Sequence, residues 1–160
     1  MKILPLLIVV TLFGPLVGSH AQDAPVDWKT LASEFQQDEA AAEAKYQGRM
    51  ITVVGPVSGI ADGDMTVDDP SVAITLSTED GPGPDVKCLF ETADLPVNSG
   101  LDVSGDGSEV TLLRRDDIGN VVSKETFAQT GQQVTVTGTF FGYQGGEIVL
   151  RHSRMVQAAP

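Results

Sequence analysis

Two stretches of this chain share one pattern of β-branched residues and glycines, and that pattern limits how the chain can fold. The upstream stretch is ITVVGPVSGIADG, residues 51–63, and the downstream stretch is VTVTGTFFGYQGG, residues 134–146. Aligned without gaps, they share a Thr-Val pair and three glycines. Alternating apolar residues predict strands, and glycines within strands mark the bulges or bends with which a barrel closes. We therefore expect two sharply bent barrel strands.

The alternation also predicts which side chains face the interior. In the downstream stretch one face holds Val134, Val136, Gly138, Phe140 and Gly142, and the other holds Thr135, Thr137, Thr139, Phe141 and Tyr143. In the upstream stretch the face equivalent to the first is Ile51, Val53, Gly55, Val57 and Gly59. Successive side chains of a strand point to opposite faces, so we predict that the valine-rich faces line the core. A bulge at one of the glycines would reverse the alternation.

The rest of the chain supplies partners for these two strands. Period-two patterns bounded by Gly, Asp and Pro predict five strands, at 50–60, 72–77, 86–91, 133–143 and 147–155. Ahead of them Asp27 is placed to cap one helix that runs from Trp28 to its stop at Gly48. Its apolar stripe, namely Trp28, Leu31, Phe35 and Tyr46, is typical of a docking face. Five short strands with one helix indicate a mainly β protein with a small closed barrel.

A long segment, 92–130, separates the third and fourth strands. Its first half, TADLPVNSGLDVSGDGSE, is loop-like, and its second half, EVTLLRRDDIGNVVSKETFA, predicts a hairpin that turns at 117–120. Structureless loops of this length are uncommon within compact domains. We therefore predict an inserted loop and hairpin on the barrel.

The N-terminus has the order of a secretory signal peptide. Lys2 precedes an apolar stretch at 3–17, which ends in the small-residue pattern Ser19-His20-Ala21. We predict a signal peptide at 1–21, a linker at 22–26, a single domain at 27–157 and a tail at 158–160, with a secreted or periplasmic mature protein. The apolar stretch is too short for a membrane span, and no basic cluster supports the alternative of an uncleaved anchor.

The charge of the chain limits the kinds of partner that it can bind, and its cysteine content limits the disulfides that it can form. The chain carries 22 acidic and 10 basic side chains, a net charge of −12. Such a field repels phosphate backbones and favours cations or basic partners, or serves only to keep an exported protein dissolved. Cys88 is the one cysteine, so no disulfide can form within the chain.

Three segments in order, YQGRMITVVGPVSGI, DVKCLFE and QTGQQVTVTGTFFGYQGGEIVL, resemble the tRNA_anti-like family of OB-fold proteins. The resemblance covers about Asp27 to Met155 without the segment 92–130. It implies a five-stranded Greek-key OB-fold barrel with an N-terminal helix and an insertion between strands 3 and 4. It implies no catalytic residues. His152 stands near the place where a second cysteine is half expected, which argues against a paired-thiol role for Cys88.

OB-folds commonly bind oligonucleotides or oligosaccharides between the loops that join strands 1 and 2 and strands 4 and 5. Here the first loop is acidic and the second is only QGG. The basic pair Arg114 and Arg115 lies in the insertion beside two aspartates. A nucleic-acid groove needs basic side chains together with stacking aromatics, so we predict no nucleic-acid partner.

Two other sets of residues are candidates for binding. Phe141 and Tyr143, with Arg114 and Arg115, are the tentative ligand-binding residues, although Phe141 and Tyr143 could equally seat the helix. The acidic loop offers a candidate hard-cation site, formed by Asp62, Asp64 and Asp68, but it lacks the spacing of an EF-hand.

Catalysis has few residues to use. After signal cleavage the sole nucleophile and base pair is Cys88 with His152, and the alternation around Cys88 predicts a buried, inert thiol. We therefore predict an exported, non-enzymatic OB-fold module that binds a protein or small ligand without a cofactor. Its working surface would be the barrel face and rim near the acidic loop and the insertion. The alternatives are a secreted thiol, redox or hydrolytic protein that uses this pair, and a calcium-dependent module.

Overall fold

The computed structural model describes residues 24–63, 71–81 and 83–156, which form two helices and nine strands. The helices are α1 (Trp28–Gln37) and α2 (Glu39–Tyr46). The strands are β1 (Val26–Asp27), β2 (Met50–Asp62), β3 (Ser71–Leu76), β4 (Asp85–Glu91), β5 (Ser99–Val103), β6 (Glu109–Arg115), β7 (Val121–Gln129), β8 (Gln133–Gln144) and β9 (Glu147–Met155). The predicted signal peptide, the first two residues of the predicted linker and the predicted tail at 158–160 lie outside the described residues.

Five strands close into a barrel in the order β2, β3, β4, β9, β8 and back to β2. The long strand β2 has two barrel neighbours, because its first half pairs with β8 and its second half pairs with β3. Across the β2–β8 pair, the hydroxyls of Thr52 and Thr137 lie 2.8 Å apart. Barrel neighbours are antiparallel except β4 and β9, which are parallel. This is the five-stranded Greek-key OB-fold, so the predicted fold class is confirmed.

The predicted interior faces are confirmed, with one reversal. Val134, Val136 and Phe140 of β8 are buried, and the buried positions of β2 include Ile51, Val53, Gly55 and Val57. A bulge lies between Val57 and Gly59, and Ile60 is the next buried residue. The alternation therefore reverses at the bulge, which is why Gly59 is only half-buried although the pattern predicted it inside.

Gly55 shows why one repeated glycine is needed. A Cβ atom at this position would lie 2.6 Å from Cδ1 of Trp28, the first residue of α1. No side chain tolerates so short a contact, so the missing Cβ lets the indole lie directly against β2. Trp28 is almost fully buried there.

The predicted single helix is wrong, because the segment divides into α1 and α2 at Asp38. Asp38 has an extended backbone (φ −156°), and its carboxylate accepts a hydrogen bond from the Ala41 amide at 3.0 Å. Aspartate favours helix caps over helix interiors because its short side chain competes for backbone donors. The predicted cap at Asp27 is present, and its carboxylate accepts from the Lys29 amide at 2.9 Å.

The apolar stripe of the helices packs onto the barrel as the sequence predicted. Trp28, Leu31, Phe35 and Tyr46 are all buried in the main core. Where α1 meets α2, Lys45 forms an ion pair with Glu34 at 2.6 Å, and the Tyr46 hydroxyl donates to the same carboxylate at 3.0 Å. The hydrogen bond from Lys45 holds the pKa of Glu34 below its usual range, although burial acts against it.

The insertion forms a second, three-stranded antiparallel sheet in the order β5-β6-β7. Its first half is not a loop as predicted, because it contains the short turn Thr92–Asp94 and β5. The predicted hairpin is present, and the Asp116 carboxylate fixes its turn by accepting from the amides of Ile118 and Asn120. Ala128 and Val110 of this sheet are fully buried in the barrel's own core cluster, so the two sheets share one core.

Candidate binding site

The last barrel strand, β9, carries a β-bulge near its C-terminal end. Between the pairs Thr137–Arg154 and Thr139–Arg151, β9 holds one more residue than β8. Within that span His152 has a positive φ of 50°. Such a conformation is uncommon for residues other than glycine, and bulges re-aim side chains at barrel rims and beside functional sites.

A second bulge lies in the neighbouring strand, β8. Between the pairs Phe140–Leu150 and Gly142–Val149, β8 holds one more residue than β9, and that residue is Phe141. Its side chain projects outward and is 48% exposed. The two bulges therefore lie on neighbouring barrel strands, and each exposes one side chain, Phe141 on β8 and His152 on β9.

A chain of charged side chains connects these strands to the start of the insertion. Nδ1 of His152 lies 2.8 Å from Oδ2 of Asp94 and 2.9 Å from Oε2 of Glu91. Nε of Arg151 donates to Oε1 of Glu91 at 2.6 Å, and Nη2 of Arg154 donates to Oδ1 of Asp94 at 3.2 Å. We refer to Glu91, Asp94 and His152 as the carboxylate–histidine cluster.

Each carboxylate of the cluster is paired with a neighbouring arginine, Glu91 with Arg151 and Asp94 with Arg154. Burial alone would raise the pKa of Asp94, but hydrogen bonds from His152 and Arg154 outweigh it and lower that pKa. The three ligand-type atoms lie within 4.8 Å of one another, so the cluster could offer them to a metal ion. The arginines already supply the compensating charge, so the side chains form a satisfied network without an ion.

A concave feature lies between the inserted sheet and the end of the barrel. This main recess has a volume of about 450 Å³. Its apolar surface comes from Phe90, Leu95, Pro96, Leu112, Phe127 and Met155, and its polar rim comes from Asp94, Arg114, Ser153 and Arg154. A second recess of about 380 Å³ is lined by four of the same residues and continues along the start of β8. We refer to both recesses together as the groove.

Part of the floor is anchored in the core, because Phe90 belongs to the core cluster and Phe127 and Met155 pack against it. The rings of Phe90 and Phe127 meet edge to face, with centroids 5.2 Å apart and planes at 90°. Phe90 is almost fully buried beneath this contact, and Met155 packs against the same core cluster. These contacts hold the floor in place without any contribution from the turn between β6 and β7.

Two arginines stand on the rim. Arg114 of β6 is 49% exposed, and the distance from its Nε to Oε1 of Glu125 is 3.7 Å. Arg154 of β9 is 70% exposed and contacts Asp94. Both guanidinium groups can turn toward a ligand that lies on the floor, because neither is buried in a tight ion pair.

The structure separates the four residues predicted to bind ligand. Arg114 lines the groove, whereas the next residue, Arg115, points to the opposite face of β6 and donates to the carbonyl of Gly119 at 3.3 Å. Tyr143 stacks on Phe35 of α1, with ring centroids 5.6 Å apart, so it helps to seat the helix. Phe141 faces outward with the Arg151 guanidinium 5.3 Å from its ring. Ligand binding by any of the four stays a prediction.

The residues of the proposed catalytic pair have different surroundings. Cys88 is fully buried, and burial raises the pKa of its thiol to about 12. His152 is exposed and held by the two carboxylates of the cluster. Neither residue therefore has the surroundings of an activated nucleophile and its base.

The predicted cation site cannot be assembled from the described residues. Asp62 lies exposed at the end of β2, and Asp64 and Asp68 lie outside the part of the chain that the structure describes. Calcium binding therefore stays a prediction.

Sequence reasoning selected Arg114 but missed the other residues of the groove and of the carboxylate–histidine cluster. Glu91 is the last residue of the strand that carries Cys88, Asp94 follows it in the next turn, and Arg154 and Met155 follow His152 in RHSRM. The signal available in the sequence was the group of basic residues Arg151, His152 and Arg154 near the end of the last barrel strand. That signal does not show that β6 and β7 fold back over this end.

Fold and groove together define the class: an OB-fold protein with a second small sheet inserted between its third and fourth barrel strands. The chain belongs to the tRNA_anti-like family, whose profile matches residues 6–154. No curated protein matches the sequence significantly.

A solved structure shares this fold. It is a protein from Klebsiella pneumoniae that is named a "putative nucleic acid-binding lipoprotein", and it superposes with a TM-score of 0.55 at 14% identity. The similarity covers 88% of this chain and 98% of that one. At this identity the similarity supports the fold alone. None of the helices among the described residues has the length and apolarity needed to cross a membrane.

Proposed function

We propose that this protein is an exported, non-enzymatic OB-fold module that binds a ligand in the groove between its barrel and its inserted sheet. The observation that carries the proposal is the groove itself, with its apolar floor and polar rim. Ligand sites are typically concave, largely apolar and about 300–1,000 Å³ in volume, with a few polar groups that orient the ligand. The main recess, at about 450 Å³, falls within that range.

The shared core supports a preformed site. Both walls of the groove are anchored in one cluster of buried residues, to which β6 contributes Val110 and β7 contributes Ala128. A site whose walls are fixed before binding loses less conformational entropy when the ligand arrives. The insertion therefore acts as a rigid wall of the groove.

Two observations favour binding without catalysis. The Cys88 thiol is buried and its pKa is raised to about 12, so at neutral pH almost none of it is the reactive thiolate. His152 is exposed, whereas the Cys88 thiol is fully buried, so the two do not share an accessible site for nucleophilic catalysis. Export rests on the N-terminal sequence pattern, and the structural neighbour is named a lipoprotein.

The proposal can be tested with Nile red, a neutral apolar dye that brightens in apolar surroundings. We expect the native protein to bind the dye and Met155→Trp, which fills the floor of both recesses, to bind it at least about tenfold more weakly. Val122→Trp, on an exposed position of β7, is the matched control and should bind like the native protein. Circular dichroism checks that each variant is folded.

Absence of dye binding to the folded native protein would contradict the proposal, as would equal binding by Met155→Trp. Backbone amide shifts in a two-dimensional NMR spectrum locate the dye. They should move around Leu112 and Met155 rather than around α1.

A second candidate function is single-stranded nucleic-acid binding on the outer barrel wall. Phe141 is half exposed beside Arg151, and bases stack on such aromatic side chains. The structural neighbour's name also mentions nucleic acid. Against it stands the net charge of −12, which opposes a polyanion.

We expect no measurable anisotropy change when a labelled oligothymidylate is titrated at about 0.15 M salt. Binding that falls steeply with salt, and that is lost in Phe141→Ala but kept in the exposed control Val97→Ala, would establish this second function instead.

A further inference from the structure

We propose that the ligand of the groove is a small amphiphile that has an apolar body and one anionic group, such as a medium-chain carboxylate. This inference rests on the proposed binding function and adds the chemical class of the ligand. It is carried by the apolar floor and by the positions of two arginines on the rim, Arg114 and Arg154.

The apolar body would lie on the floor formed by Phe90, Leu112, Phe127 and Met155. Burying apolar surface is favourable in proportion to the area removed from water. The recess is closed on one side by the inserted sheet and on the other by the segment after β4 and the end of β9, and it holds about 450 Å³. That volume suits a small molecule rather than a folded partner.

The anionic group would lie against Arg114 and Arg154. Elsewhere in the described chain, arginine and lysine ion pairs have short separations, such as 2.6 Å for Arg151–Glu91 and 3.2 Å for Lys87–Glu147. Arg114 differs, since its nearest carboxylate oxygen is 3.7 Å away. A guanidinium with so loose a partner can form a bidentate pair with a ligand carboxylate.

The groove is less negative than the protein as a whole. With a net charge of −12, the average field attracts cations. In the groove, Arg114 and Arg154 offset the charges of Glu125 and Asp94, so the local field opposes an anion less than the average field does. A neutral or cationic amphiphile would bury its apolar body against the floor, but it would give neither guanidinium group an additional partner.

The test compares three ten-carbon amphiphiles as competitors of Nile red, each below its micelle concentration: decanoate, decanol and decyltrimethylammonium. We expect decanoate to displace the dye at a concentration at least about tenfold lower than the other two require, because a hydrogen-bonded charge pair adds to the common apolar contribution. Arg114→Met should remove most of this advantage, and Arg114→Lys should restore part of it.

Lys124→Met is the matched control, because Lys124 is an exposed cation of the neighbouring strand β7 that lines neither recess. It should leave decanoate competition unchanged. Equal loss in Lys124→Met and Arg114→Met would overturn the inference, because it would show a general charge effect. Equal competition by all three amphiphiles would also overturn it, while leaving the proposed groove function intact. If Nile red does not bind the native protein, the proposed function itself fails.

Discussion

The barrel and the inserted sheet are both antiparallel over most of their length, yet they differ in their edges and in how much each contributes to the shared core. Every barrel strand has two barrel neighbours, so the barrel has no free edge. The inserted sheet begins and ends with β5 and β7, each paired on one side only, and it adds few residues to the core. Closed sheets hold their own shape, whereas open sheets of three strands depend on what they pack against. The barrel thus supplies the stability, and the insertion supplies a wall of the site.

The largest expected effect comes from the barrel interior. Phe140→Ala removes a fully buried ring that packs on Phe35 and Tyr46. We expect the free energy of unfolding to fall by about 3–5 kcal/mol, because a core cavity remains. Urea unfolding followed by circular dichroism measures it. A loss below about 1 kcal/mol would mean that the barrel does not dominate stability.

The corresponding change in the insertion should cost less and should act locally. Phe127→Ala removes the edge-to-face contact with Phe90 from a ring that is only half-buried. We expect a loss of about 2 kcal/mol, with faster amide exchange in β6 and β7 than in β2 and β8. Equal acceleration in both sheets would show that they unfold as one unit and would remove the distinction between them.

A smaller loss of stability is expected from a change at the break between α1 and α2, which lies outside both sheets. Asp38→Ala removes the side-chain acceptor for the Ala41 amide. We expect a loss of about 1 kcal/mol, typical of an N-cap. Asp38→Asn, which keeps an acceptor, should cost only a fraction of that, and the two melting curves give the comparison.

Acid should weaken the junction of barrel and insertion. The folded pKa of Asp94 lies below its unfolded value, so the unfolded chain binds the proton more readily. The stabilisation is therefore present above the unfolded pKa and is lost as the pH falls through the folded pKa. We expect the native protein to lose more stability than Asp94→Asn between about pH 5 and pH 3. Parallel losses in both proteins would contradict the ion-pair network.

The smallest effect is expected at Cys88, where Ellman's reagent should not react while the protein is folded. The thiol is fully buried with its pKa raised to about 12. One equivalent should react after denaturation, and Cys88→Ala supplies the blank. Fast reaction of the native protein would revive the thiol or hydrolytic alternative.

Local patterns were sufficient to predict the barrel. All five barrel strands are present with ends that differ from the prediction by no more than two residues, because alternation and turn residues are encoded within short windows. The helix break at Asp38 and the strand β5 were missed for opposite reasons. Strong helix formers surround Asp38, and glycine and aspartate obscure the alternation of Leu101 and Val103.

The groove was beyond such reasoning because it depends on how distant segments meet. Arg114 was a candidate from the sequence, but its relation to Phe90 and Arg154 follows from the placement of the inserted sheet over the end of the barrel. His152 was singled out as a base, whereas a bulge directs it toward Asp94 and Glu91. Residues far apart in sequence become neighbours through tertiary packing, which periodicity does not encode.

The pairing of β2 with β8, with Thr52 against Thr137, joins residues 85 positions apart. Contacts of such long sequence separation form late, because a large loop must close before they give any stabilisation. A chain emerging from the ribosome cannot close its barrel until β8 has been made. Until then the first half of β2 lacks its antiparallel partner.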